Sequence, residues 1–277
     1  MRQISMVDLK SQYHRIKEEI DQAIHEVLES TAFIKGPHHH AFAQNLSEYL
    51  NVKHVIPCAN GTDALQIALM ALDLKPGDEV ITSDFTFIST VEVIKLLDLK
   101  PVLVDVNPDD FNISVNQLEG AITENTQAII PVHLFGQCAH MDEINRVADK
   151  YNLKVIEDAA QALGAVYYTG GEYQKAGTIG DIGCTSFFPS KNLGCYGDGG
   201  AIFTHHDDLA DRCKTIANHG SHQKYYHSRI GMNSRLDTLQ AAILDVKLKY
   251  LDQYNQARQN AAAYYTKVLE DIDQITL

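Results

Sequence analysis

The stretch HVIPCANGTDALQIALMAL, residues 54–72, decides the fold. A short β-branched run, HVIPC, leads directly into Ala59-Asn60-Gly61, and Leu65, Ala68, Leu69 and Leu72 then recur at helical spacing. It reads as a strand, a glycine-containing turn and a helix. Outward from it the alternation repeats, with candidate strands at EVITS (79–83), VLVDV (102–106), AIIPVHL (128–134), LKVIED (153–158), IGCTSFF (182–188) and AIFTH (201–205). Strands alternating with helices imply βαβ units, hence an α/β fold with a mainly parallel sheet covered on both faces. Upstream, Leu9, Tyr13, Ile16, Ile20, Ala23 and Val27 predict one long amphipathic helix. Gly36 and Pro37 end it, and Phe42, Leu46 and Leu50 mark a second helix. Downstream of Arg235, Leu239, Ala242, Ile243, Val246 and Tyr250 are again helically spaced, and a polar, Gln-rich helix runs on through Lys267.

The chain has 277 residues, a length for one large domain or two moderate ones at about 150 residues each. Hydrophobic residues at 45% and charged residues at 21% are ordinary for a globular protein. The net charge of −13 repels a phosphate backbone and argues against nucleic-acid binding, yet allows a local basic pocket for one anion. No apolar run approaches the length of a membrane span, and MRQISMVDLK lacks a signal core, so a cytoplasmic location is expected. The five cysteines are scattered with no CxxC pair, which disfavours a zinc site or a disulfide framework. No metal is assigned. His38, His39 and His40 are adjacent and cannot share one metal from a helix, so they read as solvated surface. His133 reads as a satisfied core imidazole, and His219, His222 and His227 fall in a loop or short helix without a carboxylate at ligand spacing.

Three segments carry residue types able to do chemistry. The turn at Asn60–Asp63 opens a helix whose unpaired N–H groups suit a phosphate, with the Thr62 hydroxyl as a further donor; taken alone, the same residues read first as a helix cap. In VIEDAAQALGA (155–165), Asp158 ends an apolar strand, where open α/β sheets meet ligands, and it also reads as an N-cap. In SFFPSKNLGCYGDGGAIFT (186–204), Lys191 precedes Gly194, Gly197, Gly199 and Gly200. A desolvated lysine there would be an amine nucleophile, and an exposed one a plain surface charge. No GxGxxG or GxxxxGK[ST] occurs, so neither a dinucleotide fingerprint nor a P-loop is present. Together the three supply a phosphate cup, a partner for a pyridinium nitrogen and a Schiff-base lysine, the parts pyridoxal phosphate needs.

NGTDAL, EDAAQ, SFFPSKNLGCYGDGGAIFT and GMNSRLDTLQAAIL closely resemble the motifs of the DegT/DnrJ/EryC1/StrS sugar-nucleotide aminotransferases, with similarity from VDLKSQY (7–13) onward. The finer resemblance is to the aminotransferases of UDP-2-acetamido-2-deoxy-3-oxo-glucuronate, which serve O-antigen and related surface polysaccharides. The resemblance implies an aspartate-aminotransferase-like (fold type I) large domain with a seven-stranded sheet over residues 1–245. Residues 246–277 would form a connecting helix and the start of a small C-terminal domain that is largely absent. It further implies Lys191 as the Schiff-base lysine, Asp158 on the pyridine N–H, Gln161 on the ring hydroxyl or face, and Phe85 stacked on the ring. Gly61, Thr62 and Ser186 would hold the phosphate. Asn233, in GMNSR, would reach the cofactor of a neighbouring subunit, making a homodimer part of the site. Arg235 is a candidate for a substrate carboxylate or diphosphate, or else a structural ion pair. L-glutamate is the expected amino donor. The alternatives are a 4-keto or dTDP-3-keto sugar aminotransferase, or a cofactor-binding chain without turnover; the family's dehydratases carry histidine where this chain has Lys191.

Overall fold

The structure, a computed structural model, describes residues 7–276. Two helices, α1 (Leu9–Arg15) and α2 (Lys17–Ser30), stand where one long helix is expected. Ile16 leaves helical geometry (φ −123°, ψ 20°), and the bend brings it onto the side of Ile20, Ala23 and Val27, which pack against Ala242, Ile243 and Val246. After α3 (Pro37–Leu50) the chain enters the α/β body: β1 (His54–Cys58), α4 (Gly61–Ala71), β2 (Glu79–Ser83), α5 (Ser89–Leu96), β3 (Lys100–Val104), α6 (Val115–Leu118), β4 (Thr126–Ile130), α7 (Met141–Tyr151) and β5 (Lys154–Asp158). A hairpin, β6 (Val166–Thr169) and β7 (Glu172–Lys175), precedes β8 (Ile182–Ser186), β9 (Gly200–Thr204) and α8 (Asp207–Ile216). A second hairpin, β10 (Ser221–Gln223) and β11 (Tyr226–His227), replaces the loop or short helix expected around His219, His222 and His227. Helices α9 (Thr238–Leu248) and α10 (Leu251–Leu269) follow.

The seven-stranded sheet runs β1-β9-β8-β5-β4-β2-β3. Pairs from β8 through β3 are parallel, and β9 is antiparallel to both neighbours. Since β1 is reversed relative to β9, its carboxyl end lies on the same side as those of the parallel strands. Cys58 and Ser186 both pair with Gly200, and Asp158 pairs with Cys184. Three segments far apart in sequence therefore end together.

Alternate residues of each central strand enter different cores. Val80, Ala128, Ile130, Ile156 and Ile202 face α4, α5 and α8, whereas Ile81, Ile129 and Val155 face α7. Burial on both faces is why these strands read as unbroken apolar runs. Each fully buried Ile or Val contributes about 1.5–3 kcal/mol relative to exposure. A third core joins α3 and α9 through Phe42, Phe187, Phe203 and Leu244.

The strand ends differ from the expected ones for local reasons. AIIPVHL pairs only as far as Ile130, because Pro131 lacks an N–H to continue the ladder; beyond it Val132 forms a single bridge to Asp158. VLVDV shifts back to start at Lys100, which lies opposite Glu79 and pairs with its carboxylate at 2.7 Å. His39 is not solvated surface: it is 7% exposed on the core side of α3, with neither ring nitrogen hydrogen-bonded among the described residues. His38 and His40 flank it on the outer side, His38 within 3.5 Å of Glu26. No helix of the described residues is long and apolar enough to cross a membrane.

Candidate functional site

At the shared carboxyl ends of β1, β5 and β8 lies a cavity of about 590 Å³. Gly61, Thr62, Asp158, Gln161, Ser186 and Lys191 line it, six of the positions singled out in the sequence.

Its first wall is the start of α4. Asn60 caps the helix by accepting the Asp63 N–H on Oδ1 at 2.8 Å. The Gly61 and Thr62 N–H groups then point out of the first turn without intrahelical acceptors, next to the positive end of the helix dipole. The Thr62 hydroxyl is within 2.7 Å of that of Ser89, which also lines the cavity. Close packing makes this corner: a Cβ on Gly61 would come within 2.7 Å of Ser186 Cβ, and one on Gly200 within 2.4 Å of the Asn60 carbonyl. Glycine lets the helix start, the end of β8 and the start of β9 converge.

Its floor is the end of β5. Asp158 is 6% exposed and accepts from Thr90 Oγ1 at 2.8 Å and from the Ala160 N–H at 3.2 Å. Burial raises its pKa against the opposing pull of those two bonds and of Lys191 and His133. A cation within reach of the carboxylate would relieve that penalty. Gln161 presents a defined polarity. Its Oε1 accepts the Phe135 N–H at 2.8 Å, which leaves the amide nitrogen as the free donor at the cavity.

Lys191 enters from the turn after β8, where its N–H bonds the Phe188 carbonyl at 2.9 Å. It is partly buried, and desolvation lowers its pKa while the Asp158 charge acts in the opposite sense. A larger share of the amine is therefore unprotonated at neutral pH than in a surface lysine, as a nucleophile requires.

Three expected positions lie elsewhere. Phe85 does not line the cavity; it packs on Phe111 with ring centroids 5.7 Å apart. Phe87 lines the cavity instead and is 68% exposed at its mouth. Asn233 is exposed and paired through its backbone with Asn218, outside the cavity lining. Arg235 is half-buried and, among the described residues, makes neither a hydrogen bond nor an ion pair. Between those two, Ser234 is 1% exposed and accepts the Ala59 N–H on Oγ at 3.0 Å, anchoring the segment behind the start of α4. Thr86 and Ser89, which line the cavity, and Thr90, which donates to Asp158, carry no periodic signal of their own in the SDFTFIST run that also holds Phe85.

Glu157, next to Asp158, points to the other face of β5 and takes no part in the cavity. It is fully buried and accepts from Gly177, Ile179 and Gly180 N–H at 2.8, 2.6 and 2.6 Å and from His133 Nε2 at 2.7 Å. His133 is a satisfied core imidazole, its Nδ1 accepting the Ala139 N–H at 3.1 Å.

The donor set fits pyridoxal phosphate: anion-seeking N–H groups at a helix start, a buried carboxylate without an ion pair among the described residues, a polarised amide and a lysine whose pKa burial lowers, around one space. The chain is 50% identical over 269 residues to UDP-2-acetamido-2-deoxy-3-oxo-D-glucuronate aminotransferase of Pseudomonas aeruginosa, covering 97% of this chain and 74% of that protein. Among solved structures, it resembles a DegT DnrJ EryC1 StrS aminotransferase from Brucella abortus, at 43% identity and a TM-score of 0.93, covering 98% of this chain and 74% of that one. It also resembles ntda from Bacillus subtilis with bound cofactor PMP, at 37% identity and a TM-score of 0.90, covering 99% of this chain and 62% of that one. The profile of the DegT/DnrJ/EryC1/StrS aminotransferase family matches residues 14–277, and the chain belongs to that family of pyridoxal phosphate-dependent aminotransferases.

Proposed function

We propose that the chain moves an amino group from L-glutamate to a nucleotide-linked 3-keto sugar of the UDP-2-acetamido-2-deoxy-3-oxo-glucuronate type, in the biosynthesis of a bacterial surface polysaccharide. The observation that carries the chemistry is the convergence of Lys191, Asp158 and the start of α4 on one cavity. The sugar class rests on the 50% identical Pseudomonas relative.

Bound pyridoxal phosphate supplies an electron sink for negative charge at the carbon that carries the amino group. The residues of the chain do the rest. Gly61 and Thr62 N–H groups, with the Ser186 hydroxyl, hold the phosphate at the positive end of α4. Asp158 holds a proton on the ring nitrogen, and the pairing offsets the cost of its own burial. The Gln161 amide nitrogen donates to the ring oxygen, and Phe87, rather than Phe85, covers the ring face. Lys191 anchors the cofactor and, once free, takes the proton from the donor α-carbon.

Arg235 has no carboxylate partner among the described residues and is our candidate for the substrate's anionic groups. Asn233, exposed in one protomer, is assigned to the cofactor of a second copy, which makes the working form a homodimer in the cytoplasm. The test is incubation of the purified chain with pyridoxal phosphate, L-glutamate and the UDP-linked 3-keto uronate, with mass detection of the amino sugar. Product from the 3-keto sugar supports the reading. Product only from a 4-keto sugar overturns it.

A further inference from the structure

The turn that carries Lys191 is gripped from outside the cavity by the last two helices. Alternate residues around the lysine, Ser190, Asn192 and Gly194, each bond to a side chain of α9 or α10. Arg258 Nη2 on α10 donates to the Ser190 carbonyl at 3.3 Å. Asn255, one turn earlier on the same helix, accepts from Asn192 Nδ2 on Oδ1 at 3.1 Å and donates from Nδ2 to the Leu163 carbonyl at 3.2 Å. Lys247 on α9 donates to the Gly194 carbonyl.

Leu163 belongs to the tight turns that follow Asp158 and Gln161, and Asn192 Nδ2 also reaches its carbonyl. Asn255 thus sits where the two segments that deliver Asp158 and Lys191 to the cavity meet. Arg258 is exposed, and its bond to Ser190 is the one polar contact it makes among the described residues. Neither side chain lines the cavity. We infer that Asn255 and Arg258 are positioning residues for Lys191: they fix the turn that bears it to α10, so that a displacement of α10 re-aims the lysine amine. A displacement of about 1 Å at a reacting group costs on the order of a hundredfold in rate, so a small movement of the turn is enough to matter. The inference rests on Lys191 being the reactive lysine of the proposed function.

The test uses the apo chain first. The pH dependence of acetic anhydride labelling at Lys191, read by peptide mapping, reports the state of that amine without cofactor. Loosening the turn admits water to a partly buried amine, so N255A and R258A are expected to raise the labelling midpoint by roughly half a unit to one unit, and R258K to restore it. In the glutamate half-reaction the same variants should lose roughly tenfold or more in kcat while KM stays within about threefold. A midpoint unmoved in N255A, R258A and the double variant overturns the inference, whatever happens to their melting temperatures. If unmutated Lys191 takes no pyridoxyl group on borohydride reduction, the assignment of the reactive lysine fails, and the apo labelling comparison still decides the role of the clamp.

Discussion

The last two residues of β5 are both carboxylates in opposite settings, Glu157 inside a ring of N–H donors and Asp158 at the cavity, and substitution separates them. Glu157 is fully buried and receives four N–H donors on two oxygens. In Glu157→Gln one oxygen becomes an NH2 group, so two of the four donors lose an acceptor and face hydrogens. Because Ala139 donates to His133 Nδ1, the ring proton sits on Nε2 and cannot be moved to relieve the clash. Each buried donor left without an acceptor costs about 1–3 kcal/mol, which gives roughly 3–5 kcal/mol for the pair with their mutual repulsion. The unfolding entropy of a 277-residue chain is about 0.6 kcal/mol/K, so the melting temperature should fall by roughly 5–8 °C. Asp158→Asn is the opposite case. Burial raises the Asp158 pKa, so the folded apo chain binds that proton more tightly than the unfolded one and loses stability as pH rises from the ordinary carboxylate value through the raised one. The asparagine lacks this loss, so the apo variant should be at least as stable as the parent at neutral pH. Its activity should nevertheless fall by roughly a hundredfold to a thousandfold, the scale of a lost charge contact at a reacting group. Calorimetry of both apo variants beside the glutamate half-reaction decides. A Glu157→Gln chain melting within 2 °C of the parent (about 1 kcal/mol), or an Asp158→Asn chain as destabilised as Glu157→Gln, refutes the assignment.

Phe87→Ala should weaken pyridoxal phosphate binding by up to about tenfold in a fluorescence titration, the scale of a ring-stacking contact, whereas Phe85→Ala should change it little because Phe85 packs on Phe111. The pKa of His39 is pushed by burial from 6.5 down to about 4, so its contribution is intact above 6.5 and lost as pH falls to about 4. His39→Leu should therefore resist acid better, by on the order of 3 kcal/mol at pH 4 in urea unfolding; parallel acid profiles for parent and variant would count against a buried neutral imidazole. Lys247 is pushed by burial from 10.5 down to about 8, so its contribution is present above 10.5 and lost as pH falls to about 8. The stability of Lys247→Met relative to the parent should then rise by about 3 kcal/mol between pH 10.5 and 8, and a constant difference would contradict the placement of that amine.

The alternation of strands and helices was legible because every central strand is buried on both faces, and unbroken apolar runs survive small errors in their ends. Proline set the one large boundary error, at Pro131, where hydrophobicity continues but hydrogen bonding cannot. Gly61, Asp158 and Lys191 could be read because each sits at a junction between elements, where residue type is tied to backbone geometry. Phe85 and Phe87 could not be told apart by pattern. They lie in an irregular turn with neither helical nor strand periodicity, so only packing on Phe111 separates them. His39 shares its polarity with its neighbours, yet it stands three residues before Phe42 on the stripe continued by Leu46 and Leu50, and that spacing, not residue type, carries its burial. The β6–β7 hairpin did have a signal, the Gly170-Gly171 pair, both residues having positive φ; none of its strand residues is fully buried, so no apolar run marks it. The grip of α10 on the lysine turn joins residues 65 or so apart, which no sequence pattern reports.

The proposed role of Lys191 in holding the cofactor is open to covalent trapping. The purified chain is incubated with pyridoxal phosphate, reduced with borohydride, digested and mapped by mass spectrometry. A single pyridoxyl group on the peptide containing Lys191, absent after prior conversion with L-glutamate, is the result expected. A pyridoxyl group spread over surface lysines, with Lys191 unmodified, would contradict the account.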